Sequence, residues 1–280
     1  MFLRAVLTLT ALFPLYASAS APGKLFDRII VVVLENTNYD DALRQPFQSS
    51  LARNGALLTR YSGITHPSQP NYIALISGST QGVSGNQNIN LSVKHLGDLL
   101  EEKGHDWATY AEGFPGNCFT GSSYGNYVRK HNPFISFVNV HTTPSRCAKI
   151  RAASNFDADL SSGKLPEFSL YVPDQKNNGH DTGAAYADRW LKSRFEKLVS
   201  DPKFMEKTLF VVTYDEDEAV FGGSDNRVYA SFFGPMVKAG AETNSLLNHY
   251  SLLKLVEDNW SLDRLTREDS NAGSISDIWN

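Results

Sequence analysis

Cysteine is nearly absent: the chain has two among 280 residues, Cys118 and Cys147. That count excludes a disulfide-rich scaffold, and two lone cysteines this far apart make a poor zinc site. In an exported protein such a pair is expected to form one disulfide. Closing the loop-like stretch over residues 115–146 would stabilise it by roughly 3–4 kcal/mol of loop entropy. Long apolar runs are also lacking after the first twenty residues, which leaves no later segment able to cross a bilayer as a helix. There is no run of lysine and arginine, and the formal net charge is -4. Nothing therefore argues electrostatically for a nucleic-acid partner. An anionic substrate stays open, because a bound cation can reverse the sign of a site locally. Repeats and low-complexity linkers are missing too, and 41% hydrophobic with 20% charged residues is an ordinary globular composition.

What is present begins with a leader. Residues 1–19 carry one positive charge at Arg4, an apolar stretch, and the small residues Ala17-Ser18-Ala19. This order is that of a signal peptide and is too short for a membrane span. The protein is expected to be secreted or periplasmic. Residues 22–280 are expected to form one catalytic domain.

Strand-like and helix-like segments alternate through that domain. Residues 29–34 form a continuous Val/Ile-rich run, the pattern of a strand buried on both faces. Further strands are expected over 107–110, 168–172, 208–214 and 228–233. Helices are expected over 40–54, 71–77, 91–103, 184–199 and 246–260. Such alternation predicts an α/β protein with a mainly parallel sheet and helices on both faces.

Polar clusters follow three of these strands. Glu35-Asn36 comes after 29–34, Asp174 after 168–172 with Asn178-Gly179-His180-Asp181 beyond it, and Asp215-Glu216 after 208–214. In open α/β sheets, sites form beyond the carboxyl ends of strands, so these groups should converge if the strands are neighbours. Converging carboxylates repel unless a cation lies between them, and oxygen ligands with a histidine suit a divalent metal. Asp217 and Glu218, the rest of an acidic run, read as solvent-facing.

Residues 64–80 read ITHPSQPNYIALISGST. Two prolines fix a turn and an apolar helix follows, which places Ser68 at a helix N-terminus where backbone N–H groups favour an anion. A serine there is either an N-cap or a nucleophile facing a phosphate. No G-x-S-x-G elbow surrounds it, so a metal-activated serine fits better than a serine–histidine–aspartate triad. Of the remaining histidines, His95, His105 and His141 read as structural, and His66 as a solvated turn residue.

The strings LENTNYDD, THPSQPNYIALISG, NNGHD, VVTYDEDE and NHYSLLKLVEDNW occur in this order, with YVRKHNPF between the two cysteines. Together they resemble the phosphoesterase family of bacterial phospholipases C and microbial acid phosphatases, within the alkaline phosphatase superfamily. The resemblance implies an alkaline-phosphatase-like three-layer α/β/α sandwich and phosphoester hydrolysis through a phosphoserine. It implies a divalent metal held by Glu35, Asn36, Ser68, Asp215 and Glu216. One metal is the preferred reading, and Asp174 with His180 could begin a second set. Asn71 and Asn36 resemble phosphate-contacting residues, and His180 or His131 a phosphate contact or the acid for the leaving group. His249 fits either the site or a structural helix start. Asn178 stands where many relatives have aspartate. The chain is short for a phospholipase C of this kind, which favours a small phosphate monoester over a diester as substrate.

Overall fold

The computed structural model describes residues 21–219 and 225–280. The leader expected over residues 1–19 lies outside them. Eight strands form one sheet: β1 (Arg28–Leu34), β2 (Ala56–Leu58), β3 (Trp107–Ala111), β4 (Ile150–Ala152), β5 (Phe168–Val172), β6 (Thr208–Tyr214), β7 (Ala230–Phe233) and β8 (Ala241–Thr243). Their spatial order is β8-β2-β7-β6-β1-β5-β3-β4. All neighbours are parallel except β7, which runs antiparallel to both β6 and β2. The expected α/β architecture, mainly parallel with helices on both sides, is what the chain adopts.

The central strands β1 and β6 are almost wholly apolar and are buried along nearly their whole length, as strands covered on both faces must be. One set of packed helices comprises α1 (Tyr39–Leu43), α2 (Pro46–Asn54) and α5 (Ala184–Val199). Another comprises α3 (Ser68–Ser77), α4 (Leu96–Glu102) and α6 (His249–Trp260).

Several expected boundaries shift for identifiable reasons. The helix expected over 40–54 is two, because Pro46 cannot continue a helix and holds Gln45 extended (φ -74°, ψ 137°). The helix expected from residue 91 starts at Leu96. There His95 Nδ1 accepts from the Gly97 N–H at 3.0 Å, and Asp98 Oδ2 accepts from the His95 N–H at 2.9 Å. The final helix starts at His249 rather than residue 246, since Asn248 Oδ1 caps it through the N–H groups of Tyr250 and Ser251. The short strands β2, β4 and β8 have no clear alternation to betray them. No helix among the described residues is long and apolar enough to cross a membrane.

Helix α6 carries His249 at its start and Glu257, fully buried, near its end. Burial pushes the Glu257 carboxyl up to about 9; the neighbouring Asp269 adds to the shift and Arg264 opposes it. A carboxyl raised in the folded state binds its proton more tightly there than in the unfolded chain. Its contribution is full below pH about 4.5 and is lost as pH rises toward about 9. Urea unfolding at pH 7 and 9, where histidines are neutral in both states, should therefore show stability falling with pH, and Glu257→Gln should flatten that slope.

Candidate active site

The parallel register pairs Leu34 of β1 with Tyr214 of β6, so Glu35 and Asp215 leave the sheet side by side. The Asp215 N–H donates to the Leu34 carbonyl (3.1 Å), and the Glu35 N–H to the Asn178 carbonyl (3.0 Å). Glu35, Asp215 and Glu216 are all buried. Asn36 bends the chain over them at φ +37°, a left-handed conformation that asparagine tolerates. Its N–H donates to Asp215 Oδ1 (3.3 Å) and its side-chain amide to Glu216 Oε1 (3.2 Å).

Ser68 is the first residue of α3, and no side chain caps that helix. This removes the N-cap alternative. Its hydroxyl turns instead toward the acids, 2.9 Å from Glu216 Oε1 and 3.2 Å from Glu35 Oε2, with Lys130 Nζ donating to it at 3.4 Å. Five expected members of the site, Glu35, Asn36, Ser68, Asp215 and Glu216, are thus one cluster.

Its electrostatics are those of crowded anions. Burial opposes ionisation of Glu35, but His131, Lys130 and the Tyr72 hydroxyl hold it down to about 2. With that charge in place, burial and the neighbouring carboxylates push Asp215 well above the usual carboxylate range. Burial likewise raises Glu216, against the pull of Ser68 and His66. Asn36 Oδ1 and Asp215 Oδ2 are buried acceptors with no hydrogen-bond partner.

Neighbouring groups fix these acids. His131 Nε2 lies 2.9 Å from Glu35 Oε1, which also accepts from the Tyr72 hydroxyl at 2.7 Å. The His131 ring stacks on Tyr72. His249 Nε2 sits 2.7 Å from the Asp215 carbonyl, and its Nδ1 3.0 Å from the Tyr61 hydroxyl. A carbonyl can only accept, so Nε2 carries the proton and Tyr61 donates to Nδ1. Burial lowers the His249 pKa to about 4, consistent with a neutral ring that positions Asp215. Asn226 joins two loops: its Oδ1 accepts from the Asp217 N–H (2.9 Å) and its amide donates to the Thr65 carbonyl (3.3 Å). The Cys118–Cys147 disulfide, with Cα atoms 5.6 Å apart, closes the segment that carries Lys130 and His131.

Other expectations need correction. Asn71 does not face the cluster with free polar atoms. Its Oδ1 accepts from the N–H groups of Ile64 (2.7 Å) and Thr65 (3.1 Å), and its amide donates to the carbonyls of Thr65 (2.7 Å) and Pro67 (3.4 Å). That is its full bonding capacity, and it shapes the turn before Ser68. Asp174 and His180, which could begin a second metal set, are each engaged with near neighbours in sequence. Asp174 Oδ1 caps the N–H groups of Lys176 (3.0 Å) and Asn177 (2.9 Å), while His180 Nδ1 pairs with Asp181 Oδ1 at 2.7 Å. His66 is not merely a solvated turn residue, since its Nδ1 lies 2.6 Å from Glu216 Oε2. Asp217 is buried, with His66 Nε2 at 3.4 Å from its Oδ1. Sequence reasoning passed over Lys130, Tyr72 and Asn226; only the place of Lys130 beside His131 in YVRKHNPF offered a clue.

Among the described residues, no group of three or more His, Cys, Asp or Glu side chains is arranged as it stands to hold a metal ion. The donor set nonetheless fits a hard divalent cation. It is all oxygen once Asn36 and Ser68 are counted, and it includes two buried acceptors lacking donors and carboxyls raised by burial and by neighbouring carboxylates.

The fold matches a solved protein in the alkaline phosphatase superfamily from Vibrio parahaemolyticus at TM-score 0.63 and 16% identity, covering 89% of this chain and 69% of that one. Residues 41–263 match the Phosphoesterase family, and the chain belongs to it. It is 36% identical over 270 residues to a probable acid phosphatase of Kluyveromyces lactis, covering 92% of this chain and 64% of that protein. It is 34% identical over 271 residues to a phosphatidylinositol-3-phosphatase of Mycobacterium tuberculosis, covering 95% and 87%. The chain therefore spans less than two thirds of the length of the K. lactis relative.

If Asn71 shapes the turn, Asn71→Ala should lower the unfolding free energy by about 2 kcal/mol or more, because buried N–H groups lose their acceptor. Urea denaturation checks this, and unchanged stability would return Asn71 to the set of possible ligand contacts.

Proposed function

We propose that this chain is an exported phosphomonoesterase in which Ser68 attacks phosphorus and Glu35, Asn36, Asp215 and Glu216 hold a divalent cation. The observation that carries the reading is the placement of the Ser68 hydroxyl at a helix start between two buried carboxylates and one lysine. The names of the relatives, an acid phosphatase and a phosphatidylinositol phosphatase, support a phosphate monoester as substrate. The leader pattern over residues 1–19 supports export.

When bound, the cation would supply Lewis acidity, lowering the pKa of Ser68 and offsetting the acids. Ser68 Oγ forms a bond to phosphorus as the bond from phosphorus to the ester oxygen breaks. The hydroxyl proton leaves toward Glu216 Oε1, which already accepts its hydrogen bond.

The leaving oxygen takes a proton from His180. That side chain is 38% exposed and is oriented through Nδ1 by Asp181. His131, at 1%, is committed to Glu35 and suits holding that acid rather than meeting the leaving group. Water then attacks the phosphoserine. Its oxygen bonds to phosphorus as its proton passes to His180, the Ser68 ester bond breaks, and Ser68 recovers its proton from Glu216 as phosphate departs.

Hydrolysis of p-nitrophenyl phosphate across pH 4–9 tests this. Ser68→Ala should lose on the order of 10⁴-fold or more in kcat. Chelation should abolish activity, and a divalent metal should restore it. Activity that survives Ser68→Ala would overturn the reading. Hydrolysis of the bis-ester alone would move the substrate to diesters.

A further inference from the structure

Lys130 has no place in the reading above beyond its contact with Ser68, and it is unusual among the cations of this chain. Among the described residues it is the one lysine or arginine that hydrogen-bonds to any of Ser68, Glu35, Asn36, Asp215 and Glu216. Its charge is felt deeper in the site, since with His131 it helps hold the Glu35 carboxyl down against burial.

Lys130 is also held in place rather than free to wander. It lies in the middle of a one-turn 3-10 segment, Arg129–His131, whose two flanking side chains are buried. The Arg129 guanidinium clamps three separate points: the carbonyls of Thr120 (2.7 Å) and Ile89 (2.5 Å) and the Asn90 Oδ1 (2.9 Å). The Arg129 N–H donates to the Ser122 carbonyl at 2.9 Å. On the other side, His131 is fixed on Glu35 at 2.9 Å. A surface lysine usually keeps its ammonium in water. Here the backbone is anchored on both sides, and the ammonium turns inward to within 3.4 Å of the serine oxygen.

We propose that Lys130 is a catalytic residue that binds the transferred phosphoryl group and sets the preference for its dianionic form. This rests on Ser68 being the atom that meets phosphorus. A group bonded to Ser68 Oγ, or about to be, has its non-bridging oxygens one bond further out, within reach of Nζ. A lysine contact of this kind is a charge-assisted hydrogen bond from a compact cation. Coulomb energy scales with the product of charges, so the same ammonium holds a dianion about twice as strongly as a monoanion. Among buried acids, that positive charge favours the monoester dianion, which carries one charge more than a diester. The residue thus gives the site its sense of substrate charge, beyond its chemistry of attack.

The test is calorimetric binding of inorganic phosphate to the full chain, for wild type, Lys130→Met and Lys130→Arg. It is run at one pH where phosphate is mainly monoanionic and one where it is mainly dianionic. p-Nitrophenyl phosphate turnover, bound metal and thermal melting are measured on the same samples. Lys130→Met should weaken dianion binding about 10- to 100-fold and monoanion binding by about the square root of that factor. kcat/KM on the monoester should fall by a similar 10- to 100-fold, with metal content unchanged. Lys130→Arg should recover most of both losses.

Several results would overturn the proposal: no phosphate binding by wild type, binding by Lys130→Met within twofold of wild type, equal losses at the two pH values, or no rescue by arginine. A merely structural role would weaken both ionic forms alike. If wild type fails to hydrolyse the monoester, the phosphomonoesterase reading fails by itself. The calorimetry still decides whether Lys130 reads phosphate charge.

Discussion

The structure depends on the burial of three carboxylates at the ends of two neighbouring parallel strands. The register that pairs Leu34 with Tyr214 forces Glu35 and Asp215 together, and Glu216 follows one residue later. Buried like charges at this spacing oppose folding unless protons, donors or cations offset them. The chain meets that constraint partly with its own groups. His131 and Tyr72 sit on Glu35, Asn36 bridges Asp215 and Glu216, His66 lies on Glu216, and Lys130 reaches in from above Ser68. The offset is incomplete, and the acceptors left over are what make the cluster suited to a cation.

The surrounding scaffold keeps the repelling groups from drifting apart. His249 holds the Asp215 carbonyl from the start of α6, and that helix is packed on the helix that carries Ser68. The same two elements therefore position both an acid and the nucleophile. Asn71 and Asn226 do for the loops what His249 does for the strand end, using side-chain amides to replace backbone pairing that loops lack. The disulfide joins the ends of the segment bearing Lys130 and His131, which would otherwise be a long excursion outside the sheet.

Much of this was legible in the sequence. Strands 168–172 and 208–214 and helix 184–199 fall where periodicity puts them, because each is long and strongly patterned. The convergence of Glu35 with Asp215 followed from acids placed just after buried strands. Polar residues with local duties were harder to read. Asn71 looked like a phosphate contact through the family resemblance of THPSQPNYIALISG, yet nothing in one dimension shows that its amide turns back on residues 64–67. Asp217 looked exposed as part of an acidic run, but Asn226, nine residues on, folds over its backbone. His66 and Lys130 each gained their place through contacts with residues more than sixty positions away. Pairings of that kind leave no periodic trace.

The most direct measurement is rapid acid quench of the protein with p-nitrophenyl phosphate, followed by proteolysis and peptide mass analysis. The account predicts phosphate bonded to the peptide spanning Ser68, localised on that residue and absent from Ser68→Ala. Phosphate found on another residue, or steady turnover with no phosphoenzyme trapped at any quench time, would contradict it.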